Sequence, residues 1–418
     1  MNKTYASIIT IGDELLIGQV IDTNSSWIAQ ELNKVGISVK HRVAVGDVWD
    51  DIWDALEEES KKADIILITG GLGPTADDIT KPLLGKYFNG NMVMDQPTLD
   101  HITHIFEQVL KKPMIERNIK QAEVPDTCKV LKNEKGTAPG MLFNKDNKIF
   151  IAMPGVPHEM KFIMTNHVLP LLLEKYQTGF IEHRTLLTSG IGESFLAELI
   201  KDFEASLPLH IKLAYLPNFG MVRLRLTAWG ADENTLTKEL DNLFNTLKIN
   251  VKDYLIVDKD VTLEVVVGQL LNERKQTVAT AESCTGGYIA HLLSIHPGSS
   301  TFFTGTVVSY ANIIKERLLG VSHEILTTVG AVSQETVIQM AKSVREVMQT
   351  DYAISVSGIM GPGGATDEKP VGLVWVAVAN KDECIAQSFH FRFDRKKNIE
   401  LTATNALNML RQFILKNS

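Results

Sequence analysis

An α/β fold, with a parallel sheet covered by helices in its first part and more than one domain, is predicted for this chain by three observations. Short apolar runs alternate with amphipathic stretches, the pattern of strands covered by helices. The apolar runs of the first part finish in glycine, and in open α/β sheets ligands bind beyond the carboxyl ends of the strands. The 418 residues exceed the roughly 250–300 that one hydrophobic core supports, so two or three domains are expected.

Taken in order, Tyr5 to Ile11 reads as a strand, Ser25 to Val35 as a helix and Ser38 to Val45 as a second strand. Asp50 to Ala63 reads as a helix, Asp64 to Thr69 as a third strand and, after a longer excursion, Lys148 to Met153 as another. Their ends read IITIGDE, RVAVGD, ILITGGLGPTADD and IFIAMPG. Brought to one edge, they make a glycine-lined, acidic pocket. In GGLGPTADDIT, Gly70, Gly71 and Gly73 let backbone approach a ligand, and the Thr75 hydroxyl can bond a phosphate oxygen or cap the next helix. Asp77 and Asp78 are not both needed as caps, and carboxylates beside a phosphate site commonly hold a divalent metal. Asp13, Glu14, Asp22 and Asp47 are weaker candidates singly, because an acidic residue after a strand is often only a helix cap; their shared edge makes them a set. Against all of this stands a plain strand–turn–helix corner with solvated acids.

The middle stretch reads as a small β-α-β-β-α domain: HRTLLTSGIGESFLAELIKDFE gives strand, glycine turn and helix, MVRLRLTAWG alternates as a half-buried strand, and Asp232 to Leu247 is amphipathic. The charged stretch Asp253 to Thr262 is expected to be a hinge. Domain limits are set at 1–170, 171–256 and 257–418.

In the last part a helix over Leu263 to Lys275 leads into a strand, Thr277 to Ala281. AESCTGG then turns into a helix over Tyr288 to Ile295, whose N-terminus, with Gly286, Gly287, Ser283 and Thr285, is expected to be an anion site, the alternative being a well-capped helix. Cys284 has no paired histidine and fits a small buried residue better than a nucleophile. Ser299 and Ser300 precede a strand over Phe302 to Tyr310, which leads to a helix carrying Lys315. A serine attacking an amide needs a base, and a desolvated lysine of lowered pKa can be one, with a tyrosine orienting the proton. Ser283, Ser299, Ser300 and Cys284 are the rival nucleophiles. Ser357, Gly358, Gly361, Gly363 and Gly364 can wrap a ribose phosphate, the alternative being a hairpin loop. Arg395 opens the final helix. His101 and His104 form an HxxH without the glutamate of a zinc protease and fit a helix surface; His158 is the one histidine near an expected site.

IGDELLIGQVIDTNS, GGLGPTADDIT, GTAPG and MPGVPHEM resemble the molybdopterin-binding-type domain that opens the CinA family, proteins named for competence and DNA damage induction. AESCTGG, PGSS and the GPGG to EKPVG segment resemble that family's C-terminal domain, so the resemblance spans nearly the whole chain. It implies a molybdopterin-binding-like doubly wound sheet, a KH-like α+β middle domain and a C-terminal α/β domain. GIGES lacks the basic GxxG loop of a nucleic-acid-gripping KH module, which favours a spacer or dimerisation role. By resemblance, Ser300 falls on the proposed nucleophile, Tyr310 and Lys315 on its activating partners and Ser283 on a substrate-binding hydroxyl. Ala311 and Ile313 stand where relatives often carry serine and glutamate. Phe393 stands where they usually carry glycine, which weakens Arg395 as a phosphate clamp.

The resemblance further implies two hydrolytic sites. The C-terminal domain would deamidate nicotinamide mononucleotide without a cofactor. The N-terminal domain would cleave ADP-ribose with a divalent metal (Co, Mn or Mg), a monovalent cation being a further candidate. A homodimer is usual in the family. Two alternatives stand beside this: a molybdopterin or adenylylated pterin as the N-terminal substrate, and a non-catalytic adaptor for competence or recombination proteins. Composition is that of an ordinary soluble protein: net charge is −8 with 44% hydrophobic and 22% charged residues. No basic block tracks a nucleic-acid backbone, and no apolar run approaches the ~20 residues of a membrane span. Three cysteines, far apart, imply neither a disulfide framework nor a zinc site. A cytoplasmic location is expected.

Overall fold

The computed structural model describes residues 4–75, 78–176, 178–218 and 220–417. They fold into two compact units. One runs to His183 and takes in Leu207–Lys212 and Leu226–Phe244; the other comprises Arg184–Ser206, Leu213–Arg225 and the chain from Asn245 onward.

The N-terminal sheet has six strands in the order Ser38–Val45, Tyr5–Ile11, Ile65–Thr69, Lys148–Met153, Gly140–Lys145, Lys129–Leu131. The first four are parallel and the last two antiparallel. Successive strand side chains point to opposite faces, and the sequence is apolar on both. Ile8, Leu67, Ile149 and Ile151 pack on one side with Ile28 and Leu32 of the helix Thr23–Lys34. Ile9, Ile66, Ile68 and Phe150 pack on the other with Ile52 and Leu56 of the helix Trp49–Ser60 and Leu83 and Leu84 of the helix Thr80–Tyr87. Each such side chain contributes roughly 1.5–3 kcal/mol on burial, which fixes the sheet as the middle layer. The excursion before Lys148 holds a small antiparallel strand pair, Met92–Met94 with Glu123–Pro125, and the helix Gln96–Thr103. His101 lies on that helix and His104 just beyond it.

The middle sheet runs in the order Ile211–Asn218, Met221–Gly230, Phe180–Ser189, Leu255–Val257. Its helices Glu193–Leu199 and Glu233–Asn250 complete the expected β-α-β-β-α pattern. The stretch expected to be a hinge differs: Leu255 and Val257 pair with Thr188 and Leu187 as an edge strand. Its apolar triplet Leu255-Ile256-Val257 has a sheet to join, and the flanking charges hid it.

The C-terminal sheet runs in the order Phe303–Val308, Val278–Glu282, Tyr352–Gly358, Leu373–Ala379, Cys384–His390. Its first three strands are parallel and its last two antiparallel. Val278, Ile354, Val356 and Val374 face the helices Leu263–Arg274, Tyr288–Ser294 and Arg395–Lys416. On the other face small residues, Ala279, Ala281, Ala353 and Ala377, admit the helix Gln334–Met348 at close range. Among the described residues no helix is long and apolar enough to cross a membrane.

Candidate functional sites

Parallel pairing brings the ends of four N-terminal strands together: Ile11 pairs with Val45, Thr10 with Thr69 and Thr69 with Met153. The glycines are required there. A Cβ on Gly70 would lie 2.1 Å from the Ile11 carbonyl oxygen, and one on Gly71 2.0 Å from Thr80 Oγ1, with both residues at positive φ. Asn24 donates to the Gly155 carbonyl at 2.7 Å and Thr69 to the Pro154 carbonyl at 2.9 Å, tying the MPGVP turn to this edge.

Among the described residues, the carboxylates of Asp13, Asp22, Asp47 and Asp78 at this edge are engaged with N–H groups and hydroxyls of the chain itself. Asp78 accepts from the N–H of Gly73 at 2.8 Å, the N–H of Thr75 at 2.7 Å and the Thr75 hydroxyl. It therefore fills its own loop, taking the two N–H groups and the hydroxyl expected for phosphate. Asp13 and Asp47 cap each other's backbone N–H at 3.1 Å. Asp22 caps the helix Thr23–Lys34 at the N–H of Ser25, 2.9 Å, and Glu14 is exposed. Asp77 lies outside the described residues. Among the described residues no group of three or more His, Cys, Asp and Glu is placed to hold a metal ion. A divalent ion thus does not fit the described donors as they stand. Lys81 is buried; its Nζ donates to the Gln121 carbonyl at 2.6 Å and burial lowers its pKa to about 8. His158 is exposed.

At the C-terminal site, Glu282 pairs with Val308 on one side and Val356 on the other. One sheet edge therefore carries Glu282-Ser283, Ser309-Tyr310 and Ser357-Gly358. The strand Phe303–Val308 stops two residues short of the expected end, and the chain doubles back through the helix Asn312–Leu319. That return places Lys315 against the strand end it has just left. Lys315 Nζ donates to Ser283 Oγ at 2.9 Å, to the Ser309 carbonyl at 2.6 Å and to the Tyr310 carbonyl at 3.4 Å. The side chain is 1% exposed, and burial lowers its pKa to about 8. A neutral amine donates through its N–H groups and accepts at its lone pair; with two carbonyls as acceptors, the lone pair is left for the Ser283 hydroxyl.

Ser300 is elsewhere. It is exposed, in the turn Ser299–Thr301 at the opposite end of the strand Phe303–Val308. Six extended residues at ~3.3 Å each put that turn on the order of 20 Å from Ser309. Among the described residues no hydrogen bond joins Ser300 to Lys315 or Tyr310, so the expected Ser300–Tyr310–Lys315 constellation does not form within one chain. The hydroxyl that Lys315 reaches is that of Ser283. Cys284 is buried, which pushes its thiol pKa up, as befits a core residue.

The expected anion site at the helix Tyr288–Ser294 is also corrected, because an internal anion fills it. Glu282, fully buried, accepts from the N–H groups of Gly287 (3.0 Å), Ile289 (3.0 Å) and Ala290 (2.8 Å). It also accepts from the hydroxyls of Thr285 (2.7 Å) and Thr280 (3.2 Å). Thr285 is thereby engaged, and the Ser357 hydroxyl donates to the Ala331 carbonyl at 2.7 Å; neither hydroxyl is free for a ligand. Gly358 serves packing, since a Cβ there would lie 2.7 Å from Val374. Arg395 donates to the Gly361 carbonyl at 2.9 Å and to the Tyr310 hydroxyl at 3.1 Å, which joins the glycine loop, the tyrosine and the last helix. An open cleft of about 650 Å³ is lined by Thr285, Gly286, Gly287, Tyr288, Arg395 and Lys396, among others.

Comparison with known proteins agrees with this architecture. Residues 7–174 match the family described as "Probable molybdopterin binding domain", 183–256 the "Damage-inducible protein CinA KH domain" and 260–414 the "CinA C-terminal domain". A "CinA-like protein" of Flavobacterium psychrophilum is 45% identical over 413 residues, covering 99% of each chain. The chain belongs to the CinA family. Another CinA-like protein, of Cytophaga hutchinsonii, is 45% identical over 98% of this chain and 97% of its own length. Among solved structures, the competence/damage inducible protein CihA from Agrobacterium tumefaciens is 38% identical over 36% of this chain and 92% of its own, with a TM-score of 0.36. Family membership accords with the doubly wound N-terminal sheet, the KH-like middle and the C-terminal α/β domain.

Glu282 is the site residue that the sequence reading missed. Its signal was an acidic residue ending a strand of otherwise small and apolar residues, directly before Ser-Cys-Thr-Gly-Gly.

Proposed function

We propose that the C-terminal domain is an amidohydrolase that converts nicotinamide mononucleotide to nicotinate mononucleotide and ammonia. The observation that carries this reading is the 2.9 Å bond between Lys315 Nζ and Ser283 Oγ, with the lysine buried and its pKa lowered to about 8. In this reaction the neutral amine takes the Ser283 proton as Oγ attacks the carboxamide carbon. The same proton goes to the leaving nitrogen, which departs as ammonia. Water, deprotonated by Lys315, then splits the acyl ester, giving the carboxylate and restoring the Ser283 hydroxyl. Arg395 and Lys396 line the cleft together with Thr285 and Gly286 and supply positive charge for the nucleotide phosphate.

For the N-terminal domain we propose hydrolysis of ADP-ribose at the glycine edge, with a dependence on Co, Mn or Mg. The described carboxylates form no ready donor set, so no step is derived through a metal. The match of residues 7–174 to a molybdopterin binding domain favours a pterin substrate as the second reading for this site. The chain is proposed to act as a cytoplasmic homodimer on small nucleotides, without nucleic acid or membrane.

The test is ammonia release from nicotinamide mononucleotide by the full chain, Ser283→Ala and Ser300→Ala. Activity lost in the first variant and kept in the second supports the reading; an inactive wild type, or a fully active Ser283→Ala, refutes it. For the other site, AMP formed from ADP-ribose with any of the three metals supports the diphosphatase, and none with all three removes it.

A further inference from the structure

We infer that Glu282 is a positioning residue of the C-terminal site: it serves as a built-in anion for the helix Tyr288–Ser294 and thereby sets Ser283 opposite Lys315. The inference rests on Ser283 being the nucleophile.

The first N–H groups of a helix have no partner within it and need an acceptor. Here the acceptor is neither solvent nor ligand but a carboxylate of the chain itself. Glu282 takes three of these groups, from Gly287, Ile289 and Ala290, all within 3.0 Å. Two further bonds come from hydroxyls, Thr285 on the turn and Thr280 one pleat back on its own strand. Thr280 in turn meets Thr306 of the neighbouring strand at 2.7 Å. A fully buried carboxylate is costly unless its lone pairs are satisfied, and these five donors satisfy them.

The arrangement fixes the chain on both sides of Ser283. Before it, Glu282 is clamped in the sheet between Val308 and Val356. After it, the same side chain pulls the Thr285–Gly287 turn and the helix start inward. Ser283 itself donates its N–H to the Val356 carbonyl at 3.0 Å. The serine thus sits on a short bridge whose two ends are tied to one carboxylate, and its Oγ is held where Lys315 Nζ reaches it.

A second consequence concerns the ligand. With this helix end already neutralised by an internal charge, a substrate phosphate gains little there. It is directed instead to Arg395 and Lys396 in the cleft. Glu282 therefore acts on the geometry of the attack and leaves phosphate binding largely alone.

The experiment compares wild type, Glu282→Gln and Thr285→Val as full chains, with two readouts. The first is kcat and KM for ammonia release from nicotinamide mononucleotide. The second, independent of that substrate, is the rate at which a fluorophosphonate probe labels Ser283, located by fragment mass spectrometry. Glutamine has the shape of glutamate but turns an N–H₂ toward donors, so the bridge loosens. The expected result is kcat and labelling rate each lowered ~10–100-fold, as sub-ångström to ångström misplacement does, with KM within about threefold. Thr285→Val removes one donor of five and is expected to give a smaller drop of the same kind, which keeps the test intact should the glutamine variant not fold. Unchanged kcat and labelling in a folded variant overturn the inference, as does a rise in KM at constant kcat. If wild type labels at Ser283 but releases no ammonia, the substrate reading fails while the labelling comparison still decides the role of Glu282.

Discussion

Replacing Lys315 by methionine should leave a signature in the pH dependence of stability. The lysine is 1% exposed, and among the described residues its Nζ bonds only the Ser283 hydroxyl and the carbonyls of Ser309 and Tyr310, with no carboxylate. Burial lowers its pKa from 10.5 to about 8. That is roughly 2.5 pH units at ~1.36 kcal/mol each, a penalty of roughly 3 kcal/mol for keeping the ammonium in the folded state at neutral pH. Between about 8 and 10.5 the unfolded chain binds more protons than the folded one, so stability rises with pH through that window. The penalty is fully present below it and falls under about 1 kcal/mol by pH ~10. Methionine has no such dependence. It leaves the Ser283 hydroxyl and the Ser309 carbonyl short of a partner, at ~1–3 kcal/mol each, which offsets the gain at neutral pH but does not vary with pH. The assay is urea unfolding of the full chain carrying 5-fluorotryptophan, followed by the ¹⁹F resonance of Trp375 in the strand Leu373–Ala379. That resonance reports the C-terminal sheet without requiring the whole chain to unfold in one step. Wild type should gain about 2–3 kcal/mol on the variant between pH ~7 and pH ~10. A constant difference, or one of opposite sign, would refute the claim that burial holds this amine near neutrality.

Three further outcomes follow from the same geometry. The kcat/KM for nicotinamide mononucleotide should rise with unit slope up to about pH 8, where the Lys315 amine becomes neutral, and Lys315→Arg, which cannot deprotonate, should abolish the reaction; a flat pH profile would contradict it. Arg395→Met removes the bonds to Gly361 and Tyr310 and should raise KM by about tenfold, since a hydrogen bond to a charged group contributes ~1.5–3 kcal/mol; initial-rate kinetics decide. Gly71→Ala forces a Cβ to 2.0 Å from Thr80 Oγ1 at a φ of +64°. It should cost more than the ~1–2 kcal/mol of a left-handed alanine and remove AMP release from ADP-ribose, while ammonia release from the C-terminal site continues; loss of both activities together would speak against separate sites.

Much of the fold was legible because the signals were local. Tyr5–Ile11, Ser38–Val45 and Lys148–Met153 form the predicted strands, end for end, and Arg395 opens the last helix as read. Strand-end glycines told correctly which residues gather at one edge of each sheet, since parallel strands send their carboxyl ends one way. Individual roles were less legible. Ser300 and Lys315 are fifteen positions apart in the chain, yet a strand lies between them and carries them to opposite edges of the sheet; Ser283, thirty-two positions from Lys315, is its neighbour through strand pairing. The glycine-rich turns looked like open anion sites because a sequence names the donors but not what already accepts from them. At both edges the acceptor is a carboxylate of the chain, Asp78 in one and Glu282 in the other.

The most direct measurement is capture of the covalent intermediate. Wild-type chain mixed with nicotinamide mononucleotide, quenched in acid within milliseconds and digested with trypsin, gives one peptide spanning residues 276–315, because no lysine or arginine lies between Lys275 and Lys315. Fragmentation separates its serines. A nicotinoyl ribotide mass is expected on Ser283 and none in Lys315→Met; an adduct on Ser300, or ammonia released at full rate by Ser283→Ala, would refute Ser283 as the nucleophile.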